Sequence, residues 1–275
     1  MQFSGRNPQG QGQGQSSSNP AFRNLGQVVD AQRASNPTPA TLQEMYNQPS
    51  YTAPPAARQL TLDDVVTKTA MVLGVGVIAA VATIMLDVST VVIWPALIVG
   101  LVLSLIVIFK KSTNPVLILS YAVAEGILLG AITGVFESIP QYQGIGVQAL
   151  VGTFGVFAGM LIVYKTGAIR VTPRFTRLMV GALIGVAVLV VFRLLGSLFG
   201  FADGMSSGGP LSIIISLVII AVAAFSFLLD FDQIDRAIRA GAPAKTSWYF
   251  AFGLMVTLVW LYLEILRLLS YLRQN

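Results

Sequence analysis

The chain of 275 residues contains no cysteine and no histidine. The lack of cysteine excludes a disulfide framework, a thiolate nucleophile and a cysteine-based metal site. The lack of histidine removes the usual zinc ligand and the side chain that most often senses pH near neutrality. Any response to pH near neutrality must therefore come from carboxylates whose pKa is raised by burial or by a like-charged neighbour.

Charged residues are also scarce, at 11% of the chain, whereas 55% of the residues are hydrophobic. A helix that crosses the bilayer needs roughly 20 predominantly apolar residues. Seven apolar runs of about this length are separated by short polar connections: residues 69–86, 90–109, 115–136, 145–164, 178–199, 210–229 and 247–268. We therefore predict an all-α, multi-pass membrane protein built as a bundle of seven transmembrane helices.

The basic residues between these runs are distributed unevenly. With a cytoplasmic N-terminus, the inward connections carry Lys110, Lys111, Lys165, Arg170, Arg174, Arg177, Arg236, Arg239 and Lys245, and the outward connections carry no Lys or Arg. This asymmetry favours a cytoplasmic N-terminus and an external C-terminus. Arg267 and Arg273 favour the alternative that the seventh segment does not cross completely. Topology explains the net charge of +5, so we predict no nucleic-acid partner.

Residues 1–60 differ in composition from the rest of the chain. They include ten Gln and seven Pro and few large apolar residues, too little apolar surface to offset the entropy of ordering. We predict a disordered cytoplasmic tail, whose protein partners the sequence does not identify, followed by a transmembrane domain over residues 61–275. Thr61 and Asp64 have the spacing of a helix-capping box, which predicts that order begins at Thr61.

Four charged residues lie within or at the edge of the apolar runs: Glu125, Arg193, Asp230 and Glu264. Such groups are costly in a membrane and mark candidate functional sites. Arg193 and Glu264 lie at similar depths, ~22–26 Å from the cytoplasmic boundary. They can therefore form a structural ion pair, although Arg193 can also extend to the outer surface and Glu264 has Arg267 one turn later.

Glu125 lies near the predicted midplane, and no residue of opposite charge is near it in the sequence. Its carboxyl group is either functional or a neutral acid that is hydrogen-bonded to a neighbouring helix.

Asp230 is identified by elimination. Helical spacing of four residues pairs Asp232 with Arg236 and Asp235 with Arg239. Asp230 is left without a local counter-ion at the end of its apolar run, which makes it the leading candidate for a functional carboxylate.

Four stretches of the chain are distinctive: NPVLILSYAVAEGILLG, AIRVTPRFTR, LLDFDQIDRAI and LVWLYLEILRLL. Together they resemble the Bax inhibitor-1 family in its bacterial branch, over roughly residues 60–272. The resemblance implies six helices around a central, polar seventh helix in a bacterial plasma membrane. It also implies a proton-regulated calcium leak, gated by two carboxylates that face each other from helices six and seven near the cytoplasmic side.

The resemblance assigns the helix-six carboxylate to Asp230 and leaves two positions for its partner. Alignment on Leu-Tyr-Leu-Glu selects Glu264, whereas alignment on the following Ile-Leu-Arg-Leu-Leu selects Thr257. If residues 241–245 form the turn of an antiparallel hairpin, Asp230 lies level with about residues 255–257, and Glu264 lies ~10 Å farther along the helix. The hairpin geometry favours Thr257.

A threonine at this position leaves the family's carboxylate pair incomplete. We hypothesise that Glu125, at a depth comparable to that of Thr257, supplies the second carboxylate. Lys110 and Lys111 lie at the end of helix two, where the family often has basic residues, and either can hold Asp230 ionised in a closed state.

We therefore predict a pH-sensitive calcium leak channel that uses no cofactor. Its predicted partners are the lipid bilayer, calcium ions and protons, and the sequence assigns no resident metal site. The alternatives are a secondary transporter of a small solute and a regulatory scaffold that does not conduct. An enzyme is not expected, because the chain has no Ser-His dyad, no H-E-x-x-H motif and no paired aspartates in a Gly-x-Gly-Asp setting.

Overall fold

The computed structural model describes residues 58–88, 90–199 and 209–274 and the single positions 39 and 43. It does not describe the side chains of residues 193, 194, 197 and 198. The helices belong to one compact unit, Ala57–Asn275. The predicted disordered tail, residues 1–60, lies outside the described residues except for its last three residues and the two single positions.

Within the described ranges, seven helices are long and apolar enough to cross a membrane, as predicted. They are α1 (Leu62–Met85), α2 (Ile93–Lys110), α3 (Pro115–Glu137), α4 (Ile145–Thr166), α5 (Pro173–Phe199), α6 (Pro210–Arg239) and α7 (Thr246–Gln274). With 29 residues, α7 is about 43 Å long. This length is sufficient to cross the membrane completely. It argues against the alternative that the seventh segment crosses only in part.

The C-terminal helix α7 lies at the centre of the bundle, as predicted. It packs against α1, α3, α4 and α6, and its buried residues are distributed around the helix from Ser247 to Tyr271. The main contact of α2 is with α3, and that of α5 is with α6. These two helices are peripheral, so the residues most protected from lipid lie on α3 and α7.

Small residues bring α1 and α3 into close contact. A Cβ atom on Gly126 would collide with the Gly76 carbonyl oxygen, and one on Gly130 would lie 2.5 Å from the Ala80 carbonyl oxygen. Glycine at these positions therefore allows the two backbones to approach closely. The next glycine at the same spacing of four residues, Gly134, has open space around it. It therefore does not take part in this close contact.

The start of α1 is attached to the connection between α6 and α7. Thr61 and Asp64 form the predicted capping box. Before it, the Leu60 amide donates to the Ala242 carbonyl and the Ala244 amide donates to the Arg58 carbonyl, both at 2.7 Å. Gln59 and Pro243 form an isolated antiparallel bridge. Regular contacts are therefore already present at Arg58, three residues before the predicted position, Thr61.

We call this end of the bundle the basic end, because Lys110, Lys165, Arg236, Arg239 and Lys245 lie at helix ends or connections there. Contacts across this end include a hydrogen bond of 3.4 Å from the Tyr164 hydroxyl of α4 to Asp235 of α6. At the opposite end, Arg273 of α7 donates to the Gln141 and Gln143 carbonyl groups in the α3–α4 connection.

Candidate functional site

Asp230 and Thr257 meet across the interface of α6 and α7, near the basic end. The Thr257 hydroxyl donates to Asp230 Oδ2 at 3.0 Å. The two helices form an antiparallel hairpin whose turn includes Gly241, with a φ of 67° that favours glycine. The predicted level of Thr257 opposite Asp230 is confirmed.

Asp230 has no ion pair with any described residue, whereas its neighbours on α6 do. Arg236 pairs with Asp232 at 2.7 Å, and Arg239 pairs with Asp235 at 2.5 Å. Both pairs have the spacing of four residues predicted from the sequence. Among the described residues, the only hydrogen-bond partner of the half-buried Asp230 carboxyl group is Thr257. Within the described ranges, the structure therefore shows no counter-ion on this carboxylate.

A cavity of about 220 Å³ lies beside Asp230. Its lining comes from three helices and includes Ile108 of α2, Asp230 and Gln233 of α6, and Tyr249 and Gly253 of α7. This volume has room for several water molecules. The Asp230 carboxyl group therefore has access to a space where it can exchange a proton.

The two lysines predicted to hold Asp230 ionised lie just beyond this cavity. Lys110 ends α2, and Lys111 follows with a left-handed backbone, φ 45°. Both side chains are exposed. Neither forms a hydrogen bond or ion pair with Asp230 in the described structure, so the structure does not place a basic partner on this carboxylate.

Glu264 occupies a separate site two turns along α7. Its side chain is 4% exposed and accepts hydrogen bonds at 2.8 Å from both Ser216 and Arg267. Seven residues separate Glu264 from Thr257, which corresponds to about 10 Å along the helix. Glu264 is therefore not the group that faces Asp230. The side chain of Arg193, its other predicted partner, lies outside the described residues.

Glu125 is directed toward α2. Its Oε1 atom lies 2.9 Å from where a Cβ atom on Gly100 would be, and its carboxyl group interacts with the Tyr121 hydroxyl one turn earlier. Glu125 and Asp230 share no hydrogen bond within the described part of the chain. The structure does not bring together the two carboxylates that we hypothesised to form a pair.

Sequence reasoning missed Ser216 as a partner of Glu264. This serine is fully buried in α6, and its hydroxyl is one of two donors to the Glu264 carboxylate. A hydroxyl residue within an apolar run of the helix that precedes α7 was the available signal. In the described ranges, no group of three or more acidic side chains is placed to hold a metal ion.

A search of curated proteins finds no significant match. The family model described as Bax inhibitor 1 like matches residues 8–274, which is nearly the whole chain. Seven membrane-crossing helices, of which the C-terminal helix α7 is central, are consistent with this match. The protein therefore belongs to the Bax inhibitor-1-like family of membrane proteins.

Proposed function

We propose that the protein is a pH-sensitive cation leak channel whose gate is the contact between Asp230 and Thr257. The observation that carries this proposal is a carboxylate between two membrane-crossing helices that has, among the described residues, one hydroxyl partner and no ion pair. An ionisable group in this position is costly to keep and is commonly functional. Its charge directly affects how α6 and α7 hold together.

The Thr257 hydroxyl provides the physical link between protonation and helix contact. Its one proton has two acceptors within reach, Asp230 Oδ2 at 3.0 Å and the Gly253 carbonyl oxygen at 3.3 Å. When Asp230 is ionised, the charged oxygen attracts this proton. When Asp230 is protonated, the acid donates to Thr257 Oγ1, and the hydroxyl proton turns to Gly253 within α7.

Protonation therefore weakens the contact between the helices. A hydrogen bond to an ionised group is roughly twice as strong as one between neutral groups. Loss of the charge lowers the free energy that favours the closed arrangement of α6 and α7 and shifts the population toward an open one. The proposed channel conducts more as the pH falls.

A layer of apolar side chains closes the interface between Asp230 and Glu264. Phe227 and Leu261 are fully buried and Leu258 is 4% exposed. They belong to one core cluster with residues of α4 and α6. Hydrophobic constrictions of this kind stop ions because water leaves them. Opening then requires α6 and α7 to separate at this layer.

The permeant ion in this proposal is calcium, and the protein uses no cofactor and has no enzymatic activity. Calcium binds oxygen ligands in flexible arrangements, and carboxylate, hydroxyl and carbonyl oxygens line this interface. We place the basic end in the cytoplasm of a bacterial plasma membrane by the distribution of Lys and Arg. The gate then senses cytoplasmic pH.

The test is calcium flux into liposomes that contain the purified protein, measured from pH 5.5 to 8. For the wild type, we expect flux to rise as the pH falls. Asp230→Asn should show, at every pH, the flux that the wild type shows at pH 5.5, because asparagine does not titrate. The ratio of its flux at pH 5.5 to its flux at pH 8 should be about one. Asp232→Asn is the matched control and should keep the wild-type profile, since Asp232 already pairs with Arg236. An Asp230→Asn profile identical to that of the wild type would contradict the proposal.

A further inference from the structure

A second, larger cavity lies among α1, α3, α4 and α7, away from the basic end. Its volume is about 420 Å³, within the range of small-molecule sites. Its walls are almost entirely apolar, with Leu73, Val81, Leu129, Leu150 and Leu258 among the lining residues. Apart from the few polar groups, such walls offer a hydrated cation no partners along the length of the cavity, so this space does not suit the proposed ion route.

The cavity has the length of one bilayer leaflet. On α1 it extends from Leu73, in the middle of the helix, to Ile84, one residue before its end. Eleven residues of helix span about 16 Å. The hydrocarbon part of one leaflet is about 15 Å thick, half of the ~30 Å core. The cavity therefore extends from the middle of the membrane to one surface.

The side of the cavity between α1 and α4 faces the surroundings. Val81 of α1 and Val147 of α4 both line the cavity, and they are 47% and 66% exposed. At this depth a transmembrane helix is surrounded by lipid chains. A chain from the adjacent leaflet can therefore enter the cavity sideways and replace lipid contacts with protein contacts.

The end of the cavity at the membrane surface offers hydrogen-bond acceptors. The Thr133 hydroxyl proton goes to the Leu129 carbonyl at 2.7 Å, so the Tyr262 hydroxyl donates to Thr133 and keeps a free lone pair. The Glu137 carboxylate accepts from the Gly144 and Gly146 amides at 2.7 and 3.0 Å and has further acceptor capacity. No Lys or Arg is among the described residues that line the cavity.

We propose that this cavity binds one acyl chain of a phospholipid whose headgroup carries an ammonium group. The chain lies along α1 between α1 and α4, and the ammonium group lies at the acceptor end beside Glu137. An anionic headgroup at this end would be repelled by the carboxylate. This inference does not rest on ion conduction, because it does not use Asp230 or Thr257, although Leu258 belongs both to the cavity lining and to the apolar layer of the α6–α7 interface.

The test is native mass spectrometry of the full chain, reconstituted in vesicles of equal phosphatidylethanolamine and phosphatidylglycerol and then extracted in mild detergent. We expect about one phosphatidylethanolamine retained per chain, because the cavity of about 420 Å³ has room for one acyl chain. Leu150→Trp, which fills the cavity, should lower this occupancy about tenfold by removing apolar burial. Val151→Trp is the matched control: residue 151 is 67% exposed and is not among the lining residues, so its occupancy should stay at the wild-type level.

The headgroup is tested separately with Glu137→Gln, which keeps an oxygen acceptor for one of the two glycine amides and removes the charge. We expect this variant to retain phosphatidylglycerol as well as phosphatidylethanolamine. If Leu150→Trp does not fold, the lipid composition of the wild type still decides the question. Three results would overturn the proposal: no lipid retained by the wild type, detergent alone in the cavity, or equal retention of both lipids by the wild type.

Discussion

The interface of α6 and α7 holds two carboxyl groups in contrasting surroundings. Glu264 accepts hydrogen bonds from both Ser216 and Arg267, and its side chain is 4% exposed. Asp230, half-buried nearer the basic end, accepts one hydrogen bond, from Thr257, and lies beside a cavity of about 220 Å³. The same helix pair therefore contains a carboxylate fixed by its partners and one that is free to change.

This difference shows why burial alone does not identify a functional carboxylate. Glu264 is the more deeply buried of the two, yet a guanidinium group and a hydroxyl compensate its charge. Such a group stabilises one arrangement, since losing Arg267 would leave its buried charge without a counter-ion. The one partner of Asp230 in the described part of the chain is neutral, so a change in its protonation alters the helix contact. The hydrogen-bond and ion-pair partners of a buried carboxylate therefore distinguish a structural role from a response to pH.

The largest effect that we expect is on the stability of the Glu264 site. Arg267→Ala removes the counter-ion of a side chain that is 4% exposed. We expect the free energy of unfolding to fall by about 2 kcal/mol, below the usual loss for a fully buried pair because Arg267 itself is 41% exposed. Reversible denaturation in mixed micelles measures this loss.

The matched control for Arg267→Ala is Arg239→Ala, which breaks the exposed pair with Asp235. Its loss should be about 0.5 kcal/mol or less, as for other surface ion pairs. Equal losses in the two variants would show that Glu264 is not the fixed site that the comparison requires.

The second-largest effect is expected from a substitution that gives Asp230 an acidic partner. Thr257→Asp places a second acidic group against Asp230, where like charges disfavour simultaneous ionisation. We expect the pH of half-maximal calcium flux to rise by at least about one unit, which corresponds to about 1.4 kcal/mol. Thr257→Asn, similar in size but without charge, should not produce this rise. An unchanged midpoint in Thr257→Asp would separate this pair of residues from the pH response.

The smallest effect that we expect is from Ser216→Ala, which removes one donor and leaves Arg267 on Glu264. The loss in unfolding free energy should be about 1 kcal/mol, the usual value for one buried hydrogen bond. The pH profile of flux should not move, because the Asp230 site is untouched. A shifted profile in this variant would mean that the two carboxylates act as one system.

The sequence predicted the seven helices because the membrane requires long apolar runs, but it underestimated their lengths. The predicted sixth run ends at residue 229, whereas α6 continues to Arg239. Two ion pairs at a spacing of four residues stabilise this polar extension of the helix. Hydropathy detects the part of a helix in lipid and does not detect a helix that continues beyond it.

The sequence predicted which residues of the candidate site lie at the same level along their helices, but it did not predict the directions in which their side chains point. The turn between α6 and α7 determines which residues lie level with each other, so Thr257 could be placed opposite Asp230. The direction of Glu125 depends on how α3 is rotated, which its packing determines. Gly126 faces α1 at close range, and the preceding residue then faces Gly100 of α2. Sequence spacing on one helix contains no information about the neighbour that each face meets.

The two backbone hydrogen bonds between residues 58–60 and the α6–α7 turn have a mechanical consequence. They join the beginning of α1 to the hairpin that carries Asp230 and Thr257, so that the two move together. Any movement that separates α6 from α7 at this end must carry the start of α1 with it or break these bonds. Tension on the chain before Arg58 is transmitted to the hairpin turn through the same bonds.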